Sequence, residues 1–213
     1  MPGISIRSES EVRKLISSFK TSYKEDWDEW LITPKENWPE AFPKLLKKWQ
    51  AVRPNKIRGS RNEMRHEAPY IEDLLTESEV HLDKLVKFDM SQESSFSEIS
   101  ITAIKALWDI FLKLPYTDNA KNGKASVVGI SKAVLLLTQG RVGPAFDSYV
   151  RKQFGVDEPL NADEWINCLK LVQKDISVFE NQNGILFGEL MPQSSKHIHN
   201  GRIYDMILGP RAK

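Results

Sequence analysis

Two ionisable residues stand where chemistry can use them. Lys132 opens an apolar run over residues 131–139 that reads as a helix closed by Gly140. An amine there either reaches solvent along its methylene stem or, if burial or a nearby cation lowers its pKa, stays neutral and becomes a nucleophile. Asp147 follows Gly143 and Pro144, and proline at a first helical position predicts a helix beginning there and ended by Gly155. A carboxylate in that first turn complements the helix dipole whatever else it does. Held rigidly, it also stabilises positive charge developing on a reacting group. Just upstream, Gly129 and Ile130 lead into the Lys132 helix, and free backbone N–H groups at such an entry can hold a phosphate.

The charge pattern adds a second theme. The 213-residue chain carries 30 Lys and Arg against 29 Asp and Glu, a net charge of +1 that argues against a strongly electrostatic partner. The distribution is uneven. Lys44, Lys47, Lys48, Arg53, Lys56, Arg58, Arg61 and Arg65 are opposed only by Glu63, and residues 67–118 are then predominantly acidic. Lys121, Lys124, Lys132, Arg141, Arg151 and Lys152 are opposed, up to Phe154, by Asp147 alone. The two positive segments either converge on one phosphate-attracting face or lie apart, paired with the acidic stretch.

Other candidate groups carry less. His197 and His199 offer two metal ligands without a third, so no metal site is assigned. Cys168, the one cysteine, follows a helical rhythm with Trp165, Leu169 and Val172, excludes an internal disulfide and fits a reducing compartment. The tryptophans between Trp27 and Trp49 read as core rather than as a base-stacking platform. No glycine-rich phosphate loop, Ser/His/Asp motif or HExxH is present, and no cofactor is expected.

Residues 127–154 bear a resemblance that ties these groups together. The order Val127-Val128-Gly129-Ile130-Ser131-Lys132-Ala133, then an apolar helix, then Ala145-Phe146-Asp147-Ser148-Tyr149-Val150-Arg151-Lys152, is similar to the helix-hairpin-helix DNA glycosylase superfamily of the endonuclease III type. The resemblance implies an all-α, multi-helix bundle that binds double-stranded DNA and cleaves a base–sugar N-glycosidic bond. It implies that Asp147 is the catalytic carboxylate and Lys132 a Schiff-base lysine. It places the DNA backbone against Gly129, Ile130 and Ser131, and the two positive segments of the charge pattern offer Arg141, Arg151, Lys152, Arg53, Lys56, Arg58 and Arg61 as cationic contacts. A catalytically inert relative that binds DNA or protein, and a helical interaction module rich in tryptophan, are the rival readings.

The surrounding elements read as helices. Ser8 and Glu11 form a capping box ahead of Val12, Leu15, Ile16 and Phe19. Pro34, Pro39 and Pro43 punctuate an aromatic stretch into short helices, one running from near Pro39 to about Val52. Residues 68–75 and 77–88 read as two short helices. Ser97 caps a central helix with an apolar stripe from Ile101 to Leu114, and Asn161 opens a long helix through Phe179. Residues 184–190 read as a strand or loop, and Asn200 caps a last helix. Residues 1–90 form a Trp-rich, basic helical segment and 91–213 the core with the hairpin-like motif, within one continuous domain. The longest apolar run, 133–137, predicts no membrane span, and early charges at Arg7 and Glu9 argue against a secretory signal, so a cytoplasmic location is expected.

Overall fold

The computed structural model describes residues 3–51, 70–114, 125–192, 195 and 197–211. Among them the architecture is all-helical, with nine α-helices and one isolated bridge pairing Phe19 with Arg211. The helices are α1 (Glu9–Ser17), α2 (Thr21–Ile32), α3 (Trp38–Lys48), α4 (Ile71–Asp83), α5 (Glu98–Phe111), α6 (Val127–Leu137), α7 (Ser148–Phe154), α8 (Ala162–Asn183) and α9 (Asn200–Leu208). None is long and apolar enough to cross a membrane.

Local signals account for several helix starts. Ser8 and Glu11 make the reciprocal capping box at α1, Ser97 accepts the Ser100 amide at α5, and Asn161 accepts the Glu164 amide at α8. Core formation then sets the arrangement. The apolar stripe of α5, including Ile104, Leu107, Trp108 and Phe111, is buried against α4, α6 and α8. Helix α6 is buried almost all round, as its composition requires, and touches α3 as well as α5. Core residues from both halves of the chain, such as Trp49, Phe111 and Phe187, belong to one cluster.

Four boundaries differ from the sequence reading, each for a tertiary reason. The two helices expected over 68–75 and 77–88 are one, α4, because Leu74, Leu75 and Ser78 form a continuous buried face. Residues 184–190 contain no strand: Gly184 ends α8 in the left-handed conformation and Phe187–Leu190 forms a single 3-10 turn. Helix α6 starts four residues before Ser131, with Val127 already buried, so Gly129, Ile130 and Ser131 lie inside it. Gly143-Pro144 is a cis peptide in a loop rather than a helix start, and α7 begins only at Ser148.

The loop between α6 and α7 is fixed by α9 from below. Gly201 packs so closely that a Cβ there would fall 2.6 Å from the Gly140 carbonyl oxygen and 2.8 Å from the Gly143 nitrogen. Only glycine permits this backbone approach. The Arg202 amide donates to the Gly140 carbonyl at 3.0 Å, and the Asp205 carboxylate accepts the Ala145 amide at 3.1 Å. One residue on, the Phe146 amide donates to the Ser131 hydroxyl at 2.9 Å. The chain therefore arrives at Asp147 along a path tied to α6 on one side and α9 on the other.

Candidate functional site

Asp147 is the residue that precedes α7. Its Oδ1 accepts the amides of Tyr149 at 3.0 Å and Val150 at 3.1 Å, satisfying two of the N–H groups that a helix start leaves open. Its Oδ2 faces the amine of Lys132 at 3.8 Å. One oxygen is thus committed to the cap and the other to a cation.

Lys132 is largely withdrawn from solvent. It sits in the middle of α6 with 6% of its surface exposed, and its Nζ donates to the backbone carbonyl of Trp49 at 2.8 Å. Burial pushes the amine below the ordinary lysine pKa, a shift that Asp147 and Asp205 oppose and Arg202 reinforces. The carbonyl that holds it comes from the end of α3, in the other half of the chain. Trp49 is itself anchored, since its indole N–H donates to the buried Asp26 carboxylate at 2.9 Å, and Lys48 also pairs with that carboxylate.

Beneath this pair lies a second buried pair. Arg202 Nη1 contacts Asp205 Oδ2 at 2.5 Å, Nη2 donates to the Tyr23 carbonyl, and the guanidinium stacks over Phe19, Trp27 and Trp49. Burial lowers the Arg202 pKa and raises that of Asp205, while each partner stabilises the other's charge. The pair bridges α9 to the aromatic set of α2 and α3, and Asp205 also holds the loop that delivers Asp147.

Lys132 and Asp147 open onto a cleft of about 330 Å³ whose wall includes Lys20, Tyr23, Trp49, Gln50, Tyr149 and Arg151. Tyr149 is 59% exposed at its edge. Arg151 reaches Glu158 at 2.5 Å, and Lys152, one residue on, faces solvent. The cleft thus combines a desolvated amine, a fixed carboxylate, aromatic rings and a cationic rim. Such a set suits nucleophilic attack with charge stabilisation on an aromatic-bearing, anionic substrate.

The remaining sequence candidates fall in several places. The Ile130 amide donates to the Ser126 carbonyl at 3.1 Å, so it is used within α6 and is not free for a phosphate. Gly129 is buried in the first turn of the same helix. Ser131 is 1% exposed and its hydroxyl holds the Phe146 amide, a positioning contact in place of the expected DNA contact. The expected entry geometry fails because α6 begins earlier than the glycine suggested. Arg141 donates to the Thr138 carbonyl at 3.1 Å and lines a different cleft, with Trp38 and Leu82. Arg53, Lys56, Arg58 and Arg61 lie outside the described residues, as does the loop containing Asn122-Gly123. His197 and His199 join no cluster of three metal-ligating side chains among the described residues.

Sequence reasoning missed Lys20, Tyr23, Gln50 and the Arg202–Asp205 pair. Nothing local marks the first three, which come from helix ends about 100 residues away in sequence. Arg202 and Asp205 did leave a signal: opposite charges three residues apart within the apolar run Ile203, Met206, Ile207 indicate a buried pair on one helix face. No protein-family model matches the chain, and no curated protein or solved structure matches it.

Proposed function

We propose that this chain binds DNA and excises a base, acting at the Lys132–Asp147 cleft as a base–sugar N-glycosidase with a Schiff-base lysine. The observation that carries this reading is a lysine buried to 6% exposure, 3.8 Å from a carboxylate fixed by two amides, at an aromatic, cation-rimmed cleft. The target nucleotide is extruded into the cleft, where Tyr23 and Tyr149 offer stacking faces. The Lys132 lone pair forms a bond to C1′ as the C1′–N bond breaks, and the base leaves with that electron pair and takes up the proton that the newly alkylated Lys132 nitrogen gives up. The Asp147 Oδ2 opposes the positive charge that develops on the sugar. The Lys132 nitrogen lone pair then expels O4′ from C1′, the oxygen taking a proton from water, to give the iminium, and addition of water to it returns the free amine and an abasic sugar. Burial pushes the Lys132 pKa down, which favours the unprotonated form that the first step requires, and Lys20, Arg151 and Lys152 meet the flanking phosphates.

The test is borohydride trapping on a duplex with an abasic site, together with base release from duplexes carrying uracil, oxidised or alkylated bases. A covalent adduct lost in Lys132→Ala, and release lost in Asp147→Asn, is the expected result. Asparagine caps helices about as well as aspartate, so the fold is kept while the charge is removed. An adduct that survives Lys132→Ala, or equal release by Asp147→Asn, removes the residue concerned from the site.

One observation favours a second reading, a non-catalytic DNA- or protein-binding module. Both residues already have structural employment, Asp147 as a helix cap and Lys132 as the donor to Trp49. That reading predicts DNA binding, or none, with no adduct and no released base.

A further inference from the structure

Gln50 holds a backbone conformation that its side chain makes unfavourable. Its φ is +53°, and it follows α3 in a pattern in which the Ala51 amide donates to the Leu46 carbonyl at 2.9 Å and the Gln50 amide to the Lys47 carbonyl at 3.0 Å. Helix ends of this type favour glycine at that position, because a Cβ there is strained. The chain ends α6 in the same way, with Gln139 at φ +52°, but that side chain has a partner: its Oε1 lies 3.4 Å from Arg141 Nη1. The Gln50 residue is exposed, and its side-chain carboxamide makes no hydrogen bond to any described residue. It lines the cleft of Lys132 and Asp147, and the carbonyl immediately before it holds the Lys132 amine. A strained residue with an idle amide, one peptide from the amine's own acceptor, is placed to meet whatever enters.

We infer that Gln50 is the specificity-determining side chain of this cleft, reading the edge of a neutral base that presents adjacent N–H and C=O groups. This rests on the base-excision reading above and names its substrate class. A primary amide donates through its N–H to the base carbonyl and accepts the base N–H, giving the two-point contact that a lactam edge offers, as in uracil or hypoxanthine.

The experiment measures single-turnover base release from uracil and hypoxanthine duplexes, each divided by the rate of borohydride trapping on an abasic duplex, which carries no base to read. Gln50→Gly relieves the strained turn and deletes the amide. Gln50→Met keeps the bulk and deletes the hydrogen bonds. Both variants are expected to lower the release-to-trapping ratio for uracil and hypoxanthine about ten- to a hundredfold, the range for one bidentate contact. Gln50→Gly is also expected to raise Tm by about 2 °C, so the loss cannot be assigned to unfolding. An unchanged ratio in Gln50→Met assigns the effect to bulk and overturns the amide reading. An unchanged ratio in both overturns the inference while leaving the base-excision reading in place. A wild-type chain that neither traps nor releases overturns both.

Discussion

Replacing Lys132 by methionine separates the stability of this fold from its proposed chemistry. Three contributions set the outcome. The amine donates to the Trp49 carbonyl at 2.8 Å, a charge-assisted bond contributing about 1.5–3 kcal/mol. It attracts Asp147 at 3.8 Å, about 4 kcal/mol at an effective dielectric of about 20. Against these stands the desolvation of an ammonium with 6% of its residue surface exposed, several kcal/mol. The amine's pKa is lowered with burial as the first cause, so desolvation prevails over attraction by the two carboxylates. Methionine fills a similar volume without that penalty but leaves the Trp49 carbonyl and Asp147 Oδ2 without the amine, so the losses and the gain offset and the variant is expected within about 2 kcal/mol of the wild type at pH 7. The pH dependence fixes the sign independently. The unfolded amine titrates near 10.5 and the folded amine lower, so between the two values the unfolded chain binds more protons and wild-type stability rises with pH. The wild-type penalty is absent above 10.5 and complete once the pH has dropped below the folded value. Urea unfolding of both proteins from pH 7 to pH 10 should therefore show the methionine variant's stability relative to the wild type highest at low pH and falling as pH rises, while the borohydride adduct is lost throughout. A variant destabilised by more than about 2 kcal/mol at pH 7, or a relative stability that grows with pH, would falsify the argument that burial dominates at this amine.

Three further outcomes follow from the same geometry. Gly201→Ala puts a methyl group 2.6 Å from a carbonyl oxygen and should cost about 2–3 kcal/mol, read as a fall in urea midpoint, because the clash is with backbone on the partner loop; a cost under about 0.5 kcal/mol would show that α9 shifts freely. Asp175→Ala removes one carboxylate that accepts the Ile4 and Ser5 amides and the Tyr204 hydroxyl at 2.6–3.1 Å, and it should cost about 3 kcal/mol and expose the segment before α1 to limited proteolysis. DNA binding through Lys20, Arg151 and Lys152 should give log Kobs against log salt a slope of at least about −2.7 in magnitude, and a flat titration would exclude phosphate contact by these side chains.

The helical class was legible because its signals are local. The Ser8 to Glu11 box, the Ser97 and Asn161 caps and the stripe of α5 depend on residues within one or two turns, and each appears where the spacing predicts. Asp147 and Lys132 were legible as candidates, and the structure brings them to one cleft. Their environment was not. The carbonyl that holds Lys132 is 83 positions away in sequence, and Asp205, which ties down the loop before Asp147, contacts Ala145 across 60 positions. No periodicity reports such pairings. Gly129 misled for a related reason: glycine suggests a turn, yet burial of Val127 and Ile130 extends α6 through it, tertiary packing overriding local propensity.

The division of labour between the two oxygens of Asp147 has a kinetic meaning. With Oδ1 tethered by two amides, the plane of the carboxylate is set during folding, and Oδ2 cannot swing away when a substrate displaces water from the cleft. The group is preorganised, so reorganisation contributes little to the activation barrier of any step it assists. A freely rotating aspartate at the same distance would have to surrender its rotamer freedom at each turnover.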